Sequence, residues 1–113
     1  MKRDLDLIRK LMLSIEADDE IDLSDVPQTV CNYHRALLIE AGLATGMITE
    51  SGGLPNAVVI HRLTWEGHEY LDAVRGDDIW EKTKSVFKKE GLSMTYALVK
   101  TVAIKFATDL IFR

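Results

Sequence analysis

Apolar residues return every three or four positions along most of this chain and run together in β-prone stretches only near its middle. Leu5, Ile8, Leu11, Met12 and Ile15 form one helical stripe, which predicts a first helix over residues 4–17. Asp4 suits its N-cap and Asp6 its electropositive first turn. An acidic connector, DDEIDLSD, covers residues 18–25. A second helix is expected from Pro27 to Ala41, stopped by Gly42. Val30, His34, Leu37, Leu38 and Ala41 make its inward stripe, leaving Gln28, Thr29, Asn32, Tyr33 and Arg35 at or near the outward side.

Two β-prone runs come next, LATGMIT and AVVIHRLT, around the turn-rich ESGGLPN. They predict a hairpin with a flexible tip over residues 51–56. Thr64 is placed to cap a third helix, WEGHEYLDAVR, with Trp65, Tyr70, Leu71 and Val74 as apolar bulk. Gly76 interrupts it. A fourth helix, DIWEKTKSVFKKE, sets Ile79, Trp80, Thr83, Val86 and Phe87 on one side and lysines on the other, and ends at Gly91. The last segment, residues 92–112, holds fourteen apolar residues of twenty-one. Leu92, Tyr96, Val99, Ala103, Phe106 and Leu110 mark one stripe along it.

Helix, acidic connector, helix, hairpin and three further helices make a mainly α (α+β) chain. A helix ending in EAGL that leads into a two-stranded hairpin is the order of a winged helix-turn-helix. The expected organisation is a winged-helix domain over residues 1–75 and a C-terminal helical extension over 76–113, packed on that domain or on a second subunit. One departure stands out: DDEIDLSD occupies the place of the short helix that normally precedes the recognition helix.

Charge changes the functional picture. Residues 1–78 hold seven basic and fifteen acidic side chains, a net of −8, whereas residues 79–113 hold seven basic and three acidic, a net of +4. An acidic front half opposes indiscriminate binding to nucleic acid. The opening MKRDLDLIRK is broken by Asp4 and Asp6 and is no secretory leader. Lys100 and Lys105 argue against a membrane span at the C-terminal end, because each costs ~2.5–3.5 kcal/mol at a bilayer centre. A single cysteine, Cys31, forms no intrachain disulfide and fits a reducing, cytoplasmic setting.

YHRALLIEAGL resembles the end of the recognition helix in bacterial winged-helix regulators. More closely, the chain is similar to an uncharacterised family of short bacterial and phage proteins, a domain of unknown function. The shared pieces are MKRDLDLIRK, YHRALLIEAGL, RLTWEGHEYLD and IWEKTK, spread over nearly the whole chain. The resemblance implies the fold and carries no activity, so it assigns no catalytic residue.

The chemistry-bearing residues narrow the classes further. DDEIDLSD lacks the central Gly and terminal Glu of a calcium loop, having Leu23 and Thr29 at those places. Gly52-Gly53 is followed by neither Gly-Lys-Ser/Thr nor a helix, so it is no phosphate loop. Cys31 and His34 offer too few ligands for structural zinc. His61, His68, Glu69 and Asp72 are better explained as surface residues than as a metal site. His34 is expected in or near the core, its ring bonded to backbone, and Cys31 as an inert thiol. No nucleophile elbow or paired acids are present, so no enzyme, metal or cofactor is expected.

Two binding functions remain. In the first, the protein binds duplex DNA sequence-specifically as a transcriptional regulator. Gln28, Thr29, Asn32, Tyr33 and Arg35 would read bases, and Arg62, with Lys2, Arg3, Arg9 and Lys10, would contact phosphates. In the second, the acidic face docks a basic protein partner. A homodimer through the C-terminal helices is expected in either case.

Overall fold

The computed structural model describes residues 1–112. Five helices and one hairpin run in the order α1 (Leu5–Ala17), α2 (Gln28–Glu40), β1 (Ala44–Ser51), β2 (Leu54–Leu63), α3 (Trp65–Val74), α4 (Asp77–Glu90) and α5 (Tyr96–Phe112). The chain is mainly helical with one two-stranded antiparallel sheet. It divides into two compact units, Met1–His68 and the part from Glu69 onward.

In the first unit, Asp4 caps α1, its carboxylate accepting from the Asp6 and Leu7 amides at 2.9 and 3.2 Å. Leu7, Ile8, Leu11 and Met12 are buried, each such side chain contributing about 1.5–3 kcal/mol. Asp18 ends the helix in the left-handed region, at φ 51°, a conformation an aspartate tolerates better than bulkier residues. The connector after it forms no helix. It makes a turn closed by the Val26 amide on the Leu23 carbonyl at 2.9 Å.

Helix α2 begins after Pro27 and lies chiefly along β2, with α1 also against it. His34 is 1% exposed, and both ring nitrogens bond to backbone. Nε2 accepts the Asp4 N–H at 2.9 Å, so Nδ1 carries the proton and donates to the Val30 carbonyl at 2.8 Å. The core histidine expected from the sequence thus also holds the start of α1.

The hairpin is longer and tighter than its composition suggests. Its tip is only Gly52-Gly53, at φ 62° and 81°, the paired left-handed conformations that match a two-residue connection to strand twist. Leu54, Pro55 and Asn56, expected in a flexible tip, instead open β2. Pro55 is accommodated beside a register irregularity between Thr49 and Glu50. A second irregularity leaves His61 without an opposite residue, since Thr45 faces Arg62 and Gly46 faces Ile60. A Cβ at Gly46 would collide with the Val59 carbonyl.

In the second unit, Tyr70, Leu71 and Val74 of α3 are buried, as are Trp80, Thr83 and Phe87 of α4 and Val99 and Ala103 of α5. Tyr70 packs on Tyr96 with ring centroids 5.0 Å apart. Trp65, expected to supply bulk to a core, is 76% exposed at the first position of α3. Helix α5 starts later than its apolar pattern predicts. Thr95 accepts the Leu98 amide at 3.3 Å, and this N-cap leaves Leu92 outside the helix and exposed.

Candidate functional site

The face built from α2 and the hairpin carries the residues singled out for binding, and the structure separates them. Gln28 and Thr29 are exposed on the first turn of α2. Tyr33 is half-buried, its ring edge-to-face with His34 at 5.3 Å.

Asn32, expected on the outward side, is 5% exposed. Its amide donates to the Asn56 carbonyl at 3.2 Å and its oxygen accepts from the Gln28 amide at 3.2 Å. The reason is the course of β2, which runs along this side of α2 and covers it. Asn32 therefore fastens α2 to the hairpin and presents nothing to a base edge.

Arg35 is half-buried and lines a groove of about 540 Å³ together with Gln28, Cys31 and residues of α1, the connector and β2. Leu11, Ile15, Leu23, Val58 and Ile60 give this groove apolar walls. Cys31, 3% exposed, belongs to the wall of a core and not to an open reactive site. Arg62 is exposed, but its guanidinium turns back to donate to the Leu63 carbonyl at 3.1 Å.

Electrostatics stem from this placement. Between Gln28 and Leu63 the only fixed charges are Arg35, Arg62, Glu40 and Glu50, which cancel. The connector beside the groove adds Asp18, Asp19, Glu20, Asp22 and Asp25. Asp22 accepts the Ser24 amide at 3.0 Å. The Ser24 side chain, and then its backbone, hold this carboxyl below its ordinary value of 3.8. The face therefore stays neutral to acidic around neutral pH.

The hairpin supplies what sequence reasoning missed. Met47 and Val59 are direct cross-strand partners, 67% and 58% exposed, and Leu54 at the tip is 60% exposed. Their pairing is set by register shifts on either side, one at Asn56 and one at His61, which periodicity alone does not reveal. Both residues lie within the β-prone runs, and that is the one signal the sequence gives of them.

Thr64 fixes the hairpin to α3. Its hydroxyl accepts the Gly67 amide at 3.0 Å and donates to the Gly42 carbonyl at 2.6 Å, while its own amide donates to the Leu43 carbonyl at 3.0 Å. Gly67 is buried, and a Cβ there would collide with the Leu43 carbonyl. This is the physical content of Thr-Trp-Glu-Gly: a cap, an exposed ring, an acid for the helix dipole and a residue without a side chain. His68 lies 3.5 Å from Glu16 through Nδ1, a pairing that its own helix does not reveal. Among the described residues no group of three His, Cys, Asp or Glu gathers as a metal site would require. Nor, among them, is any helix long and apolar enough to cross a membrane.

Comparison with known proteins yields a relative and a family. The chain is similar to an uncharacterised protein of Haemophilus influenzae, 36% identical over 111 residues, covering 91% of this chain and 92% of that one. No solved structure matches. Residues 2–93 match the family described as hypothetical protein, DUF2513. With α1, α2, the hairpin, α3 and α4 all inside that match, the chain belongs to the DUF2513 family, a domain of unknown function.

Proposed function

We propose that this protein is a non-enzymatic docking module of winged-helix type, acting in the cytoplasm, whose hairpin, set in the acidic front half of the chain, engages a basic protein partner through its outer face. One observation carries the reading. Met47 and Val59 form an exposed apolar pair on the outer face of the hairpin, the side away from the one where Val58 and Ile60 meet the groove. Exposed apolar groups with a methionine among them favour protein contact. Duplex DNA requires phosphate neutralisation for most of its affinity, and α2 and the hairpin supply only Arg35, in the groove, and Arg62, turned onto backbone.

The test is a partner capture with matched variants. A basic protein retained by the wild type and released by Met47→Glu or Val59→Glu, both surface changes, supports the reading. Retention unaffected by either variant removes this face from consideration.

A second reading is sequence-specific DNA binding in transcriptional control. Gln28 and Thr29 favour it, being exposed on the first turn of α2, where a recognition helix meets base edges. Retention of sheared genomic duplex at low salt, followed by sequencing, decides it. A symmetric site enriched by the wild type and lost in Gln28→Ala would establish it, and no enrichment over bulk DNA would end it.

A further inference from the structure

The groove between α1, the connector, α2 and β2 holds one charge that the fold leaves unanswered. Ile15, Ile21, Leu23, Val58 and Ile60 line it half-buried, so each keeps apolar surface in water. The polar side chains along it differ in what they already bond. Ser14 donates its hydroxyl to the Asp19 carbonyl, Gln28 donates its amide to Asn32 at 3.2 Å, and Ser24 bonds to the Asp22 carboxylate. Glu20 is exposed to water. Arg35 is half-buried, yet among the described residues its guanidinium has neither an acid nor a carbonyl as partner. A cation drawn partly out of water without a partner is unfavourable.

We infer that this groove is a binding site for a small aliphatic carboxylic acid, its carboxylate on Arg35 and its chain along the apolar walls. The size fits a small molecule: about 540 Å³ lies inside the ~300–1,000 Å³ typical of such sites. Chemistry selects the class. No aromatic side chain lines the groove, so its walls suit a saturated chain better than a ring that would stack. One guanidinium balances one negative charge, and its planar fork matches a carboxylate. No second cation lines the groove to answer a phosphate dianion. The acids of the connector do not cancel this preference. Asp18, Asp19, Glu20, Asp22 and Asp25 are all exposed, and water and salt screen exposed charges far more than a half-buried one. Val58 and Ile60 lie on the opposite side of the hairpin from Met47 and Val59, so this inference stands independently of the docking reading.

Nitrogen–proton correlation spectra of the full chain, titrated with octanoate, octan-1-ol or octylammonium, provide the test. Octanoate is expected to shift the amides of Leu23, Cys31, Val58 and Ile60 saturably, and to bind about tenfold more tightly than octylammonium. Acetate, which lacks the chain, should leave these amides unmoved. Arg35→Met keeps an aliphatic stem and removes the charge, so octanoate should then bind about tenfold more weakly, level with octan-1-ol. The ligand series on the wild type decides the matter by itself should that variant fail to fold. Octanoate without saturable shifts at those amides, octylammonium binding as tightly, or a preference for octanoate that survives in folded Arg35→Met would overturn the inference.

Discussion

The side-chain amide of Asn32 donates to the backbone carbonyl of Asn56 across 24 residues of sequence, joining α2 to the strand that packs on it. A residue type suited to reading adenine is here a buried fastener. Asn32→Ala is expected to lower stability by about 1–2 kcal/mol, leaving the Asn56 carbonyl and the Gln28 amide without this partner. Urea unfolding measures this. A variant as stable as the wild type would show that the bond contributes nothing net.

His34 is held as one tautomer. Its Nε2 accepts from Asp4 and its Nδ1 donates to Val30, so nitrogen chemical shifts should report a protonated Nδ1 and a bare Nε2. His34→Phe would keep the ring and orphan the Asp4 amide, at a cost of about 1–3 kcal/mol. The loss should be concentrated at α1, with faster amide exchange at its first turn than at α2. Uniform loss across both helices would argue against a local role for the bond.

Thr64 and Gly67 test the junction of the hairpin with α3. Thr64→Val removes both hydroxyl bonds and is expected to cost about 1–2 kcal/mol, whereas Thr64→Ser retains them and should cost little. Gly67→Ala places a methyl where the Leu43 carbonyl already lies. A loss of about 2–4 kcal/mol is expected, by overpacking against backbone that has nowhere to move. Thermal unfolding of the three variants gives the order directly: serine mildest, alanine at Gly67 worst.

The connector makes a prediction with pH. Asp22 is held below 3.8 by its bonds to Ser24. A carboxyl depressed in the fold contributes its stabilisation above its unfolded value and loses it as pH falls through the folded one. The turn at residues 22–24 should therefore persist at pH 4 and open only below 3.8. Carbon-detected titration should place the Asp22 midpoint under that value, and Ser24→Ala should move it upward. A midpoint that ignores Ser24→Ala would remove serine as the cause.

Much of the architecture was legible because it rests on local rules. Asp4, Thr64 and Gly91 mark helix ends through capping and backbone freedom, which depend only on neighbours in sequence. The inward stripe of α4 is set by spacing, and Trp80, Thr83 and Phe87 are buried as that spacing requires. What stayed hidden depends on partners distant in sequence. Asn32 reads as an outward residue until β2 is laid along α2. Met47 and Val59 become a pair only once the irregularities at Asn56 and His61 set the register. Trp65 shows the opposite error, because an aromatic ring suggests core although the first position of α3 leaves it in solvent.

The bond from Thr64 to Gly42 also bears on how much this chain can be altered. It closes the hairpin at its feet, joining residues 22 apart in sequence. A loop held at its base tolerates growth at its tip, because each doubling of loop length adds only about 0.6 kcal/mol of closure entropy. Gly52-Gly53, exposed and touching nothing within 4 Å of an added Cβ, is that tip. An epitope or fluorophore peptide inserted there should leave α2, β1, β2 and α3 in place. The same hairpin that covers one side of α2 is thus the place where a reporter can be built into the fold.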